Sequence, residues 1–262
     1  LYLRVERLLS RDHQQIYFKI KNLIFQRSVS FVDFERIFGL WFVTNKINAP
    51  MKLFLLNWWE KFGMQEAALA LSKKHRILYW TCPDFSKTIN QSLFQSTIFH
   101  EHMDAVEGKT AEGILYESFP PPDESLIKAL YETESVVMNM MNKHFEEMKL
   151  SERKHLYYHY VWYWNGVLQK YKPDAIIFPN VPHSNYDYVV YALAKQMGIK
   201  TLMMDPTWIG DRMILVDDYK TRISKVTTAL QNAKMNASSR ILSPDISAEY
   251  ELQISNKDTT PV

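Results

Sequence analysis

The sequence predicts an α/β fold: a mainly parallel, Rossmann-like sheet flanked by helices, preceded by a helical segment. Three observations carry that expectation. From Met51 onward, short apolar runs end in polar or turn residues. Stretches of helical length and periodicity separate most of them, the alternation that builds parallel sheets covered on both faces. The chain of 262 residues is 47% hydrophobic and 14% aromatic, enough apolar content to bury a substantial core.

Residues 1–48 mix basic and apolar side chains. Leu8, Ile16, Ile20 and Leu23 or Ile24 recur at mostly helical spacing, so this segment reads as one or two helices packed on the domain beside them. A basic amphipathic face lying on an anionic membrane is the sharper alternative. Residues 49–235 form the α/β domain. "KLFLLN" (52–57) leads through Trp58 and Trp59 into a helix carrying Ala67 and Leu71, and "RILYWT" (76–81) completes a βαβ unit whose crossover should be right-handed. "GILYES" (113–118) reads as the next strand, with room for a further helix between Cys82 and Glu112. After "PPPDES", Asp123 caps a helical stripe of Leu126, Leu130, Val137, Met141, Phe145 and Met148. The segment "SERKHLYYHYVWYWNGVLQKYKPD" fits strand and helix at its centre, and its length favours helix. "AIIFPN" (175–180), "TLMMD" (201–205) and "MILVD" (213–217) are the remaining strands. The S-x-x-D form of Ser184 to Asp187 opens the helix between the first two, and Gly198 closes it. One more helix-like stretch spans 220–235, and the polar residues 236–262 read as a tail or linker.

Composition excludes several classes. Lys and Arg total 31 against 29 acidic residues, a formal charge of +2, which makes no global case for nucleic acid. The lone cysteine, Cys82, can form neither an internal disulfide nor a cysteine-based zinc cluster and favours a reducing compartment, so the N-x-S/T matches at Asn90 and Asn236 read as chance. No run approaches the roughly 18 uninterrupted apolar residues of a membrane span, and the start lacks a signal-peptide layout. The chain opens on Leu1 rather than methionine, which reads as a piece of something longer. There is no G-x-G-x-x-G and no Walker A pattern. A glycine-cradled nucleotide cofactor and a structural metal are therefore not expected; in "H-E-H" (100–102), read as helix, alternate residues share no face.

Parallel strands deliver their following loops to one edge of the sheet, so the candidate site gathers Asn57, Trp58, Trp59, Asn180, His183, Asp187, Asp205 and Arg212. His183 is the candidate base, because an imidazole titrates near neutrality, and Asp187 or Asp205 would orient it. The planar fork of Arg212 suits an anionic group. The tryptophans either stack on a ligand or plug the top of the core. Asp187 is equally a helix cap, Asp205 a turn residue before Pro206, and Arg212 half of a surface pair. The aromatic residues between Tyr157 and Trp164 are a stacking platform, core, or a contact between copies of the chain.

The stretch "KPDAIIFPNVPHSNYDYVVYALAKQMGIKTLMMDPTWIGDRMILVDDY" resembles the amino-terminal part of bacterial surface and capsular polysaccharide biosynthesis proteins of the glycosyltransferase-like kind, through "P-D", a strand, "N-x-P-H", a helix and "D-P-T…DR…DD". The resemblance implies two Rossmann-like domains in the GT-B arrangement. This chain would supply the first, acceptor-side domain, and a nucleotide-sugar donor would be held mainly by a second. It implies a glycan acceptor, no nucleic acid, and a cytoplasmic location with peripheral contact at the inner face of the membrane. It assigns no catalytic residue. A binding or assembly module of the same fold, and a small enzyme acting on a nucleotide or phosphorylated sugar, are the alternatives, since one α/β architecture carries many functions.

Overall fold

The structure, a computed structural model, describes residues 49–59, 64–206, 213–220, 228, 231–232 and 244–255. The expected helical segment at 1–48 and Arg212 lie outside the described residues, as does most of 220–235.

The described chain forms an α/β domain. Its elements run β1 (Lys52–Leu55), α1 (Met64–Ser72), β2 (Arg76–Cys82), α2 (Phe85–Thr88), β3 (Ile98–Glu101), α3 (His102–Val106), α4 (Glu124–Ala129), α5 (Tyr131–Met141), α6 (Leu150–Tyr171), β4 (Ala175–Phe178), α7 (Tyr186–Met197), β5 (Lys200–Pro206), β6 (Met213–Val216) and α8 (Pro244–Ser255). The sheet has six strands in the order β3-β2-β1-β4-β5-β6. All pairs are parallel except β5 with β6, where Met203 faces Val216 and Pro206 faces Met213.

Strict alternation on the buried strands splits the core in two. Leu53, Leu55, Ala175 and Ile177 face α1, whose Met64, Ala67, Ala68 and Leu71 cover them. Phe54, Leu56, Ile176 and Phe178 face the opposite layer of α5, α6 and α7. A β-bulge interrupts β2: Leu53 pairs with Ile77 but Phe54 with Tyr79, so Leu78 is the extra residue. Leu78 and Tyr79 therefore share a face, and the alternation restarts with Trp80 on the other.

Two expectations need correction. The third strand is Ile98–Glu101, while 113–118 is a turn followed by a 3-10 segment at Tyr116–Ser118. Gly113 sits at φ 77, and Leu115 is 74% exposed, as a buried central strand would not allow. The "H-E-H" residues are not helical throughout: His100 is in β3 and His102 begins α3. Within the expected tail, residues Pro244–Ser255 form a helix. The aromatic segment is the helix α6, and Tyr157, Tyr160, Tyr163 and Trp164 are core rather than platform. Asp123 caps α4 by accepting from the Leu126 N–H at 2.8 Å, and Gly198 ends α7 at φ 68.

Candidate functional site at the carboxyl edge of the sheet

Strands β1 and β4 are neighbours, yet their onward connections lead to opposite sides, to β2 and to β5. That is the topological switch point, where the loops diverge and open α/β sheets bind ligands. The loop after β1 begins with Leu56 and Asn57, and the loop after β4 with Pro179 and Asn180. The register Leu55↔Ile177 and the bond from Leu56 N–H to the Ile177 carbonyl hold the two loops side by side.

Asn57 adopts a left-handed backbone at φ 57, a conformation asparagine tolerates better than most residues. Its N–H donates to Thr81 Oγ1 at 2.6 Å, and its Oδ1 accepts from the Trp59 indole N–H at 2.8 Å. The Asn57 side chain thereby holds Trp59, which is 39% exposed, at the edge. Trp58 is different. It is fully buried, its indole N–H donates to the Met64 carbonyl and its own carbonyl accepts from Trp80, so it plugs the core and touches no external ligand. Of these two tryptophans, Trp59 is the one available for stacking.

In the loop after β4, His183 is exposed, and its Nδ1 lies 2.9 Å from the Val181 carbonyl. A carbonyl can only accept, so Nδ1 carries the proton in the neutral ring. Nε2, with no partner among the described residues, presents its lone pair outward. Asp187 is fully buried in the first turn of α7, and its Oδ1 accepts from the Ser184 N–H at 2.7 Å, one half of the expected capping box. Burial pushes the Asp187 carboxyl above its usual range; the nearby His183 and backbone N–H groups pull the other way but do not outweigh it. No bond joins Asp187 to the His183 ring, whose orienting partner is the backbone of Val181. Asp205 is the penultimate residue of β5, two residues after Met203, whose partner Phe178 is the last residue of β4.

Sequence reasoning missed a second layer. The Tyr186 hydroxyl lies 2.9 Å from Thr81 Oγ1 and 3.0 Å from His102 Nδ1, joining the starts of α7 and α3 to the end of β2. Burial, then the charges of His183 and His144, lower His102 to about 4, so it is neutral at pH 7. The bulge in β2 restarts the alternation that points Thr81 toward Tyr186, and no periodicity argument foresees it. Among the described residues, four side-chain atoms of the loop after β4 and the turn that follows it are buried without a hydrogen-bond partner: Asn180 Oδ1, both polar atoms of Asn185, and Asp187 Oδ2. The Tyr160 hydroxyl beside Asn185 donates to the Val106 carbonyl. Asn185 has a positive φ of 40, and Asp84, after β2, is left-handed at φ 49. Strain and unmet polar groups thus gather at this edge, as they do at functional sites.

Among the described residues no group of three or more His, Cys, Asp or Glu is placed to hold a metal ion, and no helix is long and apolar enough to cross a membrane. A cleft of about 780 Å³ opens at the opposite, amino edge, lined by Ser72, His75, Arg76 and the 92–97 segment, away from these loops. Compared with family models, curated proteins and solved structures, the chain has no match to any of them.

Proposed function

We propose that the carboxyl edge binds a hydroxylated glycan, and that the chain is the amino-terminal, acceptor-side domain of a GT-B-like glycosyltransferase in cell-surface polysaccharide biosynthesis. The observation that carries the reading is the pairing of a base and a platform at the switch point. His183 presents a bare Nε2, while Trp59 is held half-exposed by the Asn57 carboxamide. A sugar ring needs both: an apolar C–H face to rest on an aromatic surface, and a hydroxyl whose proton is accepted as it attacks. The sequence of 172–219 supports the same reading through its resemblance to polysaccharide biosynthesis proteins. The nucleotide-sugar donor would be held mainly by a second domain, and the work would be done in the cytoplasm, at the inner face of the membrane. Asn57 and Asn180 are the expected hydroxyl contacts. Asp187 and Tyr186 act behind them, holding the loop from which His183 projects.

The test is transfer of sugar from nucleotide-sugar donors to a cell-surface glycan acceptor by the full-length protein. Replacement His183→Ala lowers turnover about 10²–10⁴-fold with the fold intact, the usual share of general acid–base catalysis. Trp59→Ala raises the acceptor KM while leaving kcat nearly unchanged. Wild-type turnover in His183→Ala overturns the catalytic assignment and leaves a binding module without chemistry.

A further inference from the structure

On the face of the sheet covered by α5, α6 and α7, the segment 119–123 crosses α6 as a strap. Gly166 makes the crossing possible, because a Cβ there would collide with the Phe119 side chain. The strap is fastened on both sides of that contact: the Trp162 indole N–H donates to the Phe119 carbonyl at 3.0 Å, and Lys170 stands 5.8 Å over the Phe119 ring. Prolines 120 and 121, which have fixed φ and no N–H, continue the strap as a stiff wall. Between this wall, α6 and the end of α7 lies a cleft of about 460 Å³, within the range of small-molecule sites.

The polar groups lining it have one character. Asn165 is only 6% exposed. Its Oδ1 accepts from Gln169 Nε2 at 3.2 Å, whereas its Nδ2 makes no hydrogen bond among the described residues. Gln169 Oε1 and the amide of Gln196 are likewise uncommitted, and Asp123 uses Oδ1 alone for Leu126 N–H and Ser125 Oγ, leaving Oδ2 as an acceptor. The lining therefore offers paired donors and acceptors, the apolar C–H surface of the prolines and, among the described residues, no cation. A phosphate or nucleotide would meet a carboxylate and nothing to balance its own charge. Vicinal hydroxyls, each donor and acceptor at once, match side-chain amides.

We infer that this cleft is a second ligand site, separate from the carboxyl edge, and that it takes a neutral, hydroxyl-rich ligand the size of one or two sugar units. It does not rest on the catalytic reading of His183. The 262-residue chain, isotope-labelled at nitrogen, is titrated with glucose, galactose, N-acetylglucosamine and lactose, with inorganic phosphate as the charged control. At least one of these sugars moves the side-chain amide signals of Asn165 and Gln169 along a saturable curve, and phosphate does not. Because Asn165 is packed inside, the variant that tests the site is Gln169→Ala at an exposed position; it keeps the wild-type thermal transition and weakens binding about 3–10-fold, the loss of one ordinary hydrogen bond. The inference is overturned if none of these sugars moves those signals, if phosphate moves them equally, or if Gln169→Ala binds as the wild type does. Sugar-induced shifts confined to Trp59 and the His183 loop would also overturn it, while leaving the carboxyl-edge proposal standing.

Discussion

His100 and His102 stand two residues apart and belong to opposite kinds of polar region. His100 closes a buried chain. The Ala111 N–H donates to the Tyr163 hydroxyl at 3.0 Å, Tyr163 and Tyr79 lie 2.7 Å apart, Tyr79 is 2.7 Å from His100 Nδ1, and His100 Nε2 is 3.1 Å from the Lys109 carbonyl. Because the Lys109 carbonyl can only accept, one direction of donation runs the length of the chain: Ala111 to Tyr163 to Tyr79 to His100 to Lys109. No polar atom in it is left over. His102 opens instead on the carboxyl edge, beside Tyr186 and near His183, where Asn180, Asn185 and Asp187 keep buried atoms without partners among the described residues. A closed network ties elements together and has nothing further to offer a ligand. An open one costs stability, by roughly 1–3 kcal/mol for each unmet buried group, and is retained where something else meets it.

That contrast breaks most sharply at His183. His183→Ala should lower sugar transfer by about 10²–10⁴-fold without moving the thermal transition, since the ring is exposed and bonded only to its own loop. An equally large fall in stability would place His183 with the closed region. His100→Leu should do the reverse. It strands the Tyr79 hydroxyl and the Lys109 carbonyl, and chemical denaturation should show a loss of about 2–4 kcal/mol, with transfer per folded molecule unchanged.

Acid should act on both histidines. Burial lowers His100 and His102 to about 4, below the 6.5 of an unfolded chain. The unfolded state then binds the proton first, so their contribution is complete above pH 6.5 and is lost as pH falls from there toward 4. The unfolding free energy should fall by on the order of 1 kcal/mol per pH unit for each imidazole across that window. Denaturation midpoints at pH 7, 6 and 5, compared with those of His100→Leu, would show the slope reduced in the variant; an unchanged slope would mean His100 is not the buried neutral group described.

The smallest effect is expected at Asn57. Glycine adopts φ 57 without steric cost but cannot hold the Trp59 indole. Asn57→Gly should therefore leave stability within about 1 kcal/mol of wild type and weaken glycan binding about 3–10-fold. Unchanged binding by calorimetry would show that Trp59 needs no support from its neighbour.

Much of the frame was legible in the residues themselves. β1, β2, β4 and β5 are runs of apolar side chains long enough to be buried on both faces, and such runs separated by helices admit few arrangements other than a parallel sheet. The S-x-x-D start and Gly198 end of α7 were equally plain, because caps satisfy backbone groups within one turn of the chain. The third strand was not. "IFHE" is short, its Ile98, Phe99 and Glu101 are only half-buried, and its polar His100 is matched by tyrosines far away in sequence. "GILYES" looked the better strand because an exposed Leu115 reads the same in sequence as a buried one.

The site divides in the same way. Local chemistry was enough to mark Asn57, Trp59, Asn180 and His183 as residues at strand ends, since the carboxyl end of a parallel strand is known once the strand is. Which tryptophan faces inward, and that Thr81, Tyr186 and His102 meet behind the edge, depend on contacts across as many as 105 residues of chain and on a one-residue bulge in β2. Periodicity records the preference of each segment for one face. It holds no information about which distant segment covers that face, because that choice is made by packing and hydrogen-bond satisfaction over the whole folded chain.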